Sequence, residues 1–411
     1  MSDLSSRGRA LLDGAMPEYV TEHFARSERP WHPQDEPRGY IGLCVAENVG
    51  VWDLLRPQVQ RERRVEARHF GYDAMRGALS FRQRLAEFLG QRLAGRSIDP
   101  EHIAALSGAG SVLEILFYCI ADAGDGVLVP TPSYAGFWAD LETRNQLHII
   151  AAHAKSENGF ALRVEDLDRA WSQSKRPIRA LLLTNPDNPR GAVLPPDQLE
   201  SMIAWGESRG LHVIVDELYA FSVFGPNRFH SVLARKSLGP KLHMVWAFSK
   251  DFAASGLRCG VLVSENEAVM QAVDALSYWG CCSGDTQFLL ESLLGDNVWL
   301  NHYLEAMPRR LEASYQRARD GFARIGLNGL EAEAGFFFLT DARPFLRECT
   351  PEAERDWWYQ LLEHTNVNLT PGGACRIGEP GFFRVCHAAQ DQTALAEALG
   401  RLEGFVTPRS L

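Results

Sequence analysis

Between about residues 65 and 265, short apolar runs alternate with longer segments whose apolar residues recur at helical spacing. Runs such as HIAALSG, RALLLTN and LHVIVD are typical of buried strands, and the segments between them are typical of amphipathic helices. Strands that are apolar on both faces indicate a parallel sheet covered by helices on each side. The pattern therefore predicts an α/β fold, with one three-layer α/β/α domain around a mainly parallel sheet.

The rest of the chain has a different pattern. Residues 1 to 40 are polar and marked by prolines, which favours an arm that packs against another part of the assembly. From about residue 300, a long helix, a helix at 351 to 364 and the short strands GFFFLTDA and GFFRVCHA indicate a smaller α+β domain. The predicted organisation is an arm with part of the small domain (1–64), a large domain (65–300) and a C-terminal small domain (301–411).

Composition narrows the classes of function. The 411 residues are 45% apolar and 23% charged with a net charge of -10, as in an ordinary globular protein without a basic surface for nucleic acid or anionic membranes. The N-terminal segment has no apolar core of a signal peptide, and we expect a cytoplasmic protein. The eight cysteines show no CxxC pair or zinc spacing, so we expect inert thiols and no metal site.

The segment VWAFSKDFAASGLRCG, residues 245–260, places Lys250 at the end of an apolar run and Arg258 eight positions later. Burying an ammonium group is costly unless the proton is lost, and a neutral lysine condenses with aldehydes. An arginine nearby suits a phosphate. Together these groups supply what pyridoxal phosphate needs. The same sequence is also compatible with an ordinary surface lysine beside a structural arginine.

Other polar residues follow predicted strands. The small-residue turn 107–111 ends a strand and opens a helix, where backbone amides can approach a phosphate. Asp216 ends an apolar strand three residues before Tyr219, and Asn188 lies in the loop NPDNPRG. The carboxyl ends of parallel strands face the crevice where α/β sheets bind ligands. Glu47 also follows a short strand, and without context a helix cap is favoured over a ligand group.

The order and spacing of these residues resemble the fold-type I pyridoxal phosphate enzymes of the aminotransferase class I/II group. The resemblance covers about residues 40 to 390 and rests on the segments NPDNPRG, DELY, SKDF and GLRCG. It implies a pyridoxal 5'-phosphate cofactor bound in the large domain. It also implies a homodimer with shared active sites.

The resemblance also implies roles for individual residues. Lys250 would hold the cofactor covalently and then act as the general base for the substrate's α-proton, while Asp216 would pair with the ring nitrogen. Tyr219 and Asn188 would hydrogen-bond the ring's phenolic oxygen. Arg384, together with Asn188, would bind the substrate carboxylate. The remaining cofactor contacts would come from Gly108, Ala109, Tyr134, Ser249, Arg258 and, across the dimer, Tyr72.

Within that group the chain is similar to the 1-aminocyclopropane-1-carboxylate synthases, which act on S-adenosylmethionine. The matching segments are IGLCVAEN, YWGCCSGDTQ and PGGACRIGEPGFFRVCHA. Glu47 would then lie beside the sulfonium cation. The resemblance implies loss of the α-proton and release of methylthioadenosine from the γ-carbon. The product would be the cyclopropane amino acid, or a vinylglycine-type species captured by a second small-molecule substrate.

Departures from the group keep other readings open. Ala247, Ser133, Gly110 and Ser111 stand where serine, tyrosine, threonine and alanine are usual. The missing serine at 247 predicts weaker phosphate binding unless Ser111 or Ser249 replaces it, and Ser133 predicts altered room beside the ring. The alternatives are an aminotransferase of an α-amino acid, which needs the same residues, and a non-catalytic cofactor-binding regulator.

Overall fold

The computed structural model describes residues 3–13 and 16–406. The strands are β1 Ile41–Gly42, β2 Ile103–Leu106, β3 Gly126–Thr131, β4 His148–His153, β5 Ile178–Thr184, β6 His212–Asp216, β7 Leu242–Ala247, β8 Gly260–Ser264, β9 Asn328–Gly329, β10 Phe337–Asp341, β11 Val367–Asn368, β12 Thr370–Pro371 and β13 Phe382–Cys386. The helices are α1 Ser6–Asp13, α2 Glu18–Arg26, α3 Trp52–Glu62, α4 Leu79–Leu89, α5 Ala109–Ile120, α6 Phe137–Glu142, α7 Val164–Gln173, α8 Pro196–Ser208, α9 Phe248–Asp251, α10 Glu267–Leu276, α11 Gly284–Gly295, α12 Asn297–Arg324, α13 Pro351–Thr365 and α14 Gln392–Val406. Residues 1–2, 14–15 and 407–411 of the predicted terminal regions lie outside the described residues.

The central sheet has the strand order β2-β8-β7-β6-β5-β3-β4. Strands β3 to β7 pair in parallel, whereas β8 runs antiparallel to both β2 and β7. The direction reverses at β8 because the short turn of α9, rather than a long crossover, joins β7 to β8. The predicted α/β fold with a mainly parallel sheet is confirmed.

The two faces of the central sheet bury separate cores. In β5, Leu181 and Leu183 join one core, while Ala180 and Leu182 join the other. Helices α4, α8 and the first half of α12 cover the first face, and α5 and α10 cover the second. Because successive strand residues point to opposite faces, a strand buried on both sides must be apolar throughout. This is why the apolar runs gave so clear a signal in the sequence.

A smaller antiparallel sheet, in the order β12-β13-β10-β9, packs with α13, α14 and the second half of α12. In α12, Leu300 and Leu311 lie in the core of the central sheet, whereas Tyr315 and Phe322 lie in the core of the small sheet. One helix therefore joins the two cores. The division into three regions stays a prediction. Its proposed limit at residue 300 falls within this shared helix.

The N-terminal segment packs on the small sheet. Tyr19 of α2 lies in the core of that sheet, and β1 pairs in parallel with β11 through Ile41 and Val367. The apolar run IGLCV was expected to form a strand, but only Ile41–Gly42 does so. The strand is short because β11 offers only two residues for pairing. Leu43 and Cys44 continue as buried chain that leads toward the ends of the central strands.

In the described part of the chain, no helix is both long and apolar enough to span a membrane. Cys44 and Cys386 are buried and Cys119 is partly buried, whereas Cys281 and Cys349 are exposed.

Candidate active site

A cleft of about 240 Å³ opens where the parallel strands β5 and β6 end and the turn after β7 begins. Thr184 of β5 lies opposite Asp216 of β6, and both line the cleft. The predicted cofactor residues that line it are Ala109, Tyr134, Asn188, Asp216, Tyr219, Ser249, Lys250 and Arg258. Residues far apart in the sequence therefore meet at one edge of the sheet, as expected for strands that end together.

Lys250 lies in the single helical turn α9, directly after β7. Its Nζ donates a hydrogen bond to the carbonyl oxygen of Ala46 at 2.7 Å. The pKa of Lys250 is lowered to about 8, chiefly by burial; the carboxylate of Glu47 opposes the shift, and the guanidinium groups of Arg384 and Arg258 add smaller contributions in the same direction as burial. Near neutral pH, a much larger fraction of molecules therefore carries the neutral amine than for an ordinary lysine, and the neutral amine is the state that attacks an aldehyde.

Asp216 and Tyr219 occupy the turn after β6. Asp216 Oδ1 accepts a hydrogen bond from the backbone N–H of Leu218 at 3.0 Å, and burial raises the pKa of its carboxyl to about 7. A buried carboxylate of this kind is stabilised by a cationic N–H on a bound group. The Tyr219 ring packs edge-on against Phe336 and Phe337, and burial raises the pKa of its phenol well above the usual value. Its hydroxyl therefore keeps its proton and can donate.

The N-terminus of α5 and Arg258 form one end of the cleft. Gly108 precedes the helix with a φ of 95°, and a Cβ at this position would lie 2.5 Å from Arg258 Nη2. Arg258 donates through Nη1 to the carbonyl of Ser255 at 3.0 Å, and no carboxylate of the described residues forms an ion pair with it. The first amides of a helix have no partner within it and carry partial positive charge. Glycine, free amides and an unpaired guanidinium together form a cradle for an anion.

Serine hydroxyl groups also reach this end of the cleft. Ser249 and Ser255 both line it, and Ser255 Oγ donates to the carbonyl oxygen of Ser249 at 3.0 Å. Ser111 was the other replacement considered for the missing serine at 247. Its Oγ is hydrogen-bonded to Ser107 Oγ at 2.9 Å. Ser133 is buried and donates its backbone N–H to Cys375, so it lies behind the cleft wall rather than in it.

Arg384 extends from β13 and is buried. Its Nη1 donates to Asn188 Oδ1 at 3.0 Å and its Nη2 donates to the carbonyl of Cys44 at 2.7 Å. Its Nε has no hydrogen-bond partner, and no carboxylate of the described residues pairs with it. A buried cation with an unused N–H is costly unless a ligand supplies negative charge. The arrangement suits a carboxylate, and it gives Asn188 a definite orientation toward Arg384.

A second cleft of about 390 Å³ lies beside the first, with Ser249 and Ser255 lining both. Glu47 and Trp52 line this second cleft, and Glu47 is exposed. The reading of Glu47 as a helix cap is wrong, because Asn48 caps the following turn by accepting the N–H of Gly50 at 3.1 Å. The carboxylate of Glu47 is thus left facing solvent and the cleft.

Some cleft residues were not predicted from the sequence. Thr184 could have been found, because it ends a strand beside that of Asp216. Phe137 and Asp140 of α6, Leu218 and Ser255 gave no signal, since ordinary helix and turn positions carry these residue types equally well. Tyr72 does not reach the cleft of its own chain and is 96% exposed.

A sequence model of the family described as aminotransferase class I and II matches residues 39–402. The chain belongs to this family. It is therefore a pyridoxal 5'-phosphate-dependent enzyme, and the family, enzyme class and cofactor predicted from the sequence are confirmed. For this family member the cleft offers a matching set of groups: an anion cradle, a buried carboxylate and a lysine amine with lowered pKa. When bound, the cofactor supplies an aldehyde and a ring that withdraws electrons from the substrate's α-carbon.

Individual relatives agree with this assignment. The chain is 33% identical over 405 residues to 1-aminocyclopropane-1-carboxylate synthase 6 of Arabidopsis thaliana, covering 93% of this chain and 81% of the relative. It is 31% identical over 428 residues to synthase 5 of the same plant, covering 99% and 91%. A double mutant of the aspartate aminotransferase from Thermus thermophilus superimposes with a TM-score of 0.82 at 22% identity, covering 99% and 100%. This last likeness concerns the fold.

The lowered pKa of Lys250 predicts how the apoprotein captures pyridoxal phosphate. Only the neutral amine attacks the aldehyde, so the rate should rise with pH around a midpoint near 8, instead of near the ordinary value of 10.5. The rate is measured by the absorbance change on mixing, over a series of buffers. Lys250→Ala should abolish covalent capture, whereas Lys241→Ala should leave the midpoint unchanged. A midpoint close to that of a free lysine would contradict the lowered pKa.

Proposed function

We propose that the protein is an enzyme similar to 1-aminocyclopropane-1-carboxylate synthase, acting on S-adenosylmethionine. It removes the α-proton, cleaves the bond between the γ-carbon and sulfur, and releases methylthioadenosine. The remaining four-carbon unit closes to the cyclopropane amino acid, or forms a vinylglycine-type species that a second small-molecule substrate captures in a γ-replacement or annulation. The observation that carries the proposal is the carboxylate of Glu47, which does not cap the following helical turn and lines a cleft adjoining that of Lys250.

The proposed roles follow the positions of the side chains. Lys250 would hold the cofactor covalently, and its free amine would take the substrate's α-proton at Nζ. The buried carboxyl group of Asp216 would hold the ring nitrogen in its protonated state, and the Tyr219 hydroxyl, which keeps its proton, would donate to the ring's phenolic oxygen. Arg384 grips the α-carboxylate, oriented by its hydrogen bond to Asn188.

The cofactor phosphate and ring have their own proposed contacts. Gly108 and Ala109 at the start of α5, Ser249 and Arg258 hold the phosphate, and Tyr134 covers the ring face. Ser255 adds a hydroxyl group at the end where Ala247 offers none. These hydroxyl groups make the departure at Ala247 compatible with phosphate binding.

Selection of S-adenosylmethionine is explained by charge. A sulfonium is a permanent cation that cannot lose its charge by losing a proton, so removing it from water is costly without a compensating group. Glu47 supplies a carboxylate, and Trp52, 58% exposed in the same cleft, supplies an aromatic face for a cation or a flat ring. The clefts adjoin, so a substrate held by Arg384 can extend its side chain toward Glu47.

The runner-up is an aminotransferase of an α-amino acid. It is favoured by the overall likeness to aspartate aminotransferase and uses the same lysine, carboxylate and arginine. It gives no role to the carboxylate of Glu47 in the adjoining cleft. The third hypothesis, a non-catalytic regulator, gives no catalytic use to the lysine of lowered pKa that lies among the cleft residues.

The active unit in this proposal is a homodimer in which Tyr72 completes the partner's site. Tyr72 and the nearby Phe70 are among the most exposed aromatic residues described, at 96% and 82%. Large exposed aromatic side chains on one surface indicate an interaction with another protein. The cytoplasmic location expected from the sequence stays a prediction.

Incubation of the holoenzyme with S-adenosylmethionine tests the function directly. We expect methylthioadenosine to accumulate, as measured by chromatography, and Lys250→Ala to release none. Two results together would replace this proposal with the aminotransferase hypothesis. No methylthioadenosine would form, with or without added electrophiles or amines, and an ordinary amino acid would be converted to its keto acid.

Glu47→Gln is expected to weaken binding of S-adenosylmethionine by about 1 to 3 kcal/mol, with little effect on S-adenosylhomocysteine. The two ligands share the adenosyl group and differ in the positive charge on sulfur, so the comparison isolates the role of the carboxylate. Affinities are measured by calorimetry. Asp53→Asn is a matched control, because Asp53 lies nearby but pairs with Arg310. Equal losses for both ligands would remove Glu47 from charge selection.

The dimer is tested by mixing two inactive chains, Lys250→Ala and Tyr72→Ala. One of the two sites in a hybrid dimer carries both wild-type groups, so part of the activity should return after subunit exchange. Labelled subunits confirm that exchange has occurred. No recovery in exchanged dimers would show that Tyr72 does not act across the interface.

A further inference from the structure

Asp251 immediately follows Lys250 and is fully buried. Its Oδ1 accepts a hydrogen bond from Ser222 Oγ at 2.6 Å, and its Oδ2 accepts from Trp246 Nε1 at 2.8 Å and from the backbone N–H of Phe221 at 3.2 Å. No lysine, arginine or histidine of the described residues forms an ion pair with it. A carboxylate is therefore held inside the protein by uncharged donors alone.

The surroundings of Asp251 make a carboxylate an unexpected choice. Phe88, Trp246 and Phe252 pack together beside it, and burial raises the pKa of Asp251 to about 7 in spite of its three donors. An apolar residue would fill such a position without the cost of desolvating a charge. The carboxylate therefore does something that apolar packing cannot do.

The donors show what the carboxylate connects. Phe221 and Ser222 belong to the turn after β6, in which the N–H of Ser222 donates to the carbonyl of Tyr219 at 3.0 Å. Asp251 itself belongs to α9, the turn that carries Lys250. Its own carbonyl oxygen accepts from Tyr303 Oη at 3.0 Å, which fixes the same turn against α12. The side chain of Asp251 thus links the turn after β6 to the turn after β7. Without it, these two turns would be connected mainly through the pairing of their strands.

We propose that Asp251 is a positioning residue, which locks the Lys250 turn to the Tyr219 turn so that the amine and the phenol face one cleft at a fixed separation. It touches neither cofactor nor substrate. Its side chain points to Ser222 and Trp246, whereas Lys250 Nζ points to Ala46. The inference rests on the proposed roles of Lys250 and Tyr219 and is independent of which amino acid is the substrate.

The same junction reaches the small sheet. The carbonyl oxygen of Ser222 accepts from the N–H of Gly335 at 2.8 Å, and Gly335 leads into β10. In the register of β10 with β13, Leu339 lies opposite Arg384. The Ser222 link therefore lies between the lysine turn and the strand pair that carries the buried arginine.

Two replacements separate hydrogen bonding from charge and from packing. In Asp251→Asn, the amide oxygen can accept from Trp246 and Phe221 while the Ser222 hydroxyl rotates to accept from the amide nitrogen, so all links survive without the charge. Asp251→Leu has a similar size and makes no link. Ser222→Ala removes only one of the connections to the Tyr219 turn.

Glu265 offers a matched control. Its carboxylate has four donors, namely the Leu238 N–H at 2.9 Å, the Gly239 N–H at 3.4 Å, Arg96 Nη2 at 2.8 Å and Ser237 Oγ, but it follows the far end of β8. Glu265→Leu should lower the melting temperature while leaving cofactor capture by the apoprotein unchanged. It measures the effect of losing a comparable cluster away from the cleft.

The experiment measures the rate of pyridoxal phosphate capture by each apoprotein, below the melting temperature of every variant. Asp251→Leu should slow capture by up to about 10²-fold, the cost of misplacing a reacting group by about 1 Å. Asp251→Asn should stay close to wild type, and Ser222→Ala should show a smaller loss. If Asp251→Leu does not fold, the other two variants decide: capture should be slower in Ser222→Ala than in Asp251→Asn.

Two results would overturn the inference. Capture by Asp251→Leu and Ser222→Ala at the rate of Glu265→Leu would make Asp251 a purely structural residue. An equally large loss in Asp251→Asn would assign the effect to charge rather than to hydrogen bonding. Because pyridoxal phosphate capture needs no amino acid, the inference can survive even if no methylthioadenosine is released.

Discussion

The main constraint on this structure is electrostatic: basic groups are brought together at one edge of the central sheet, and their proximity costs free energy. Lys250, Arg258 and Arg384 contribute to the same electrostatic environment, and no carboxylate among the described residues forms an ion pair with any of them. The missing negative charge has to come from ligands, namely the phosphate of the cofactor and the carboxylate of an amino acid. Ligands that bind only the folded protein stabilise it, so the holoenzyme gains the stability that this edge of the sheet lacks.

The scaffold meets this cost with close backbone packing. Gly260 of β8 lies so near the turn before α5 that a Cβ would be 2.5 Å from the carbonyl carbon of Gly108. Gly108 is in turn pressed against Arg258. The antiparallel return of β8 thus sets the distance between the helix amides and the guanidinium. The arginine proposed to bind the substrate belongs to a separate part of the molecule, because Arg384 lies on the small sheet.

Local sequence patterns predicted the regular elements well. The helix expected at 351 to 364 is found at Pro351–Thr365, since helical spacing and an N-terminal proline are local signals. The run IGLCV was harder, because the length of β1 is set by β11, more than three hundred residues away. The cap is Asn48 instead of Glu47, a difference of one residue that the sequence pattern does not show. Site residues with a motif were predicted, whereas Asp140 and Ser255 reach the cleft only through tertiary packing.

The helix α12 has a consequence for how the molecule unfolds. Leu300 and Leu311 pack in one core and Tyr315 and Phe322 in the other, so loss of either core removes the surface on which half of the helix rests. The two cores therefore share a single cooperative unit of folding instead of melting separately. The amine of Lys250 and the guanidinium of Arg384, which are anchored in different sheets, keep or lose their relative placement together.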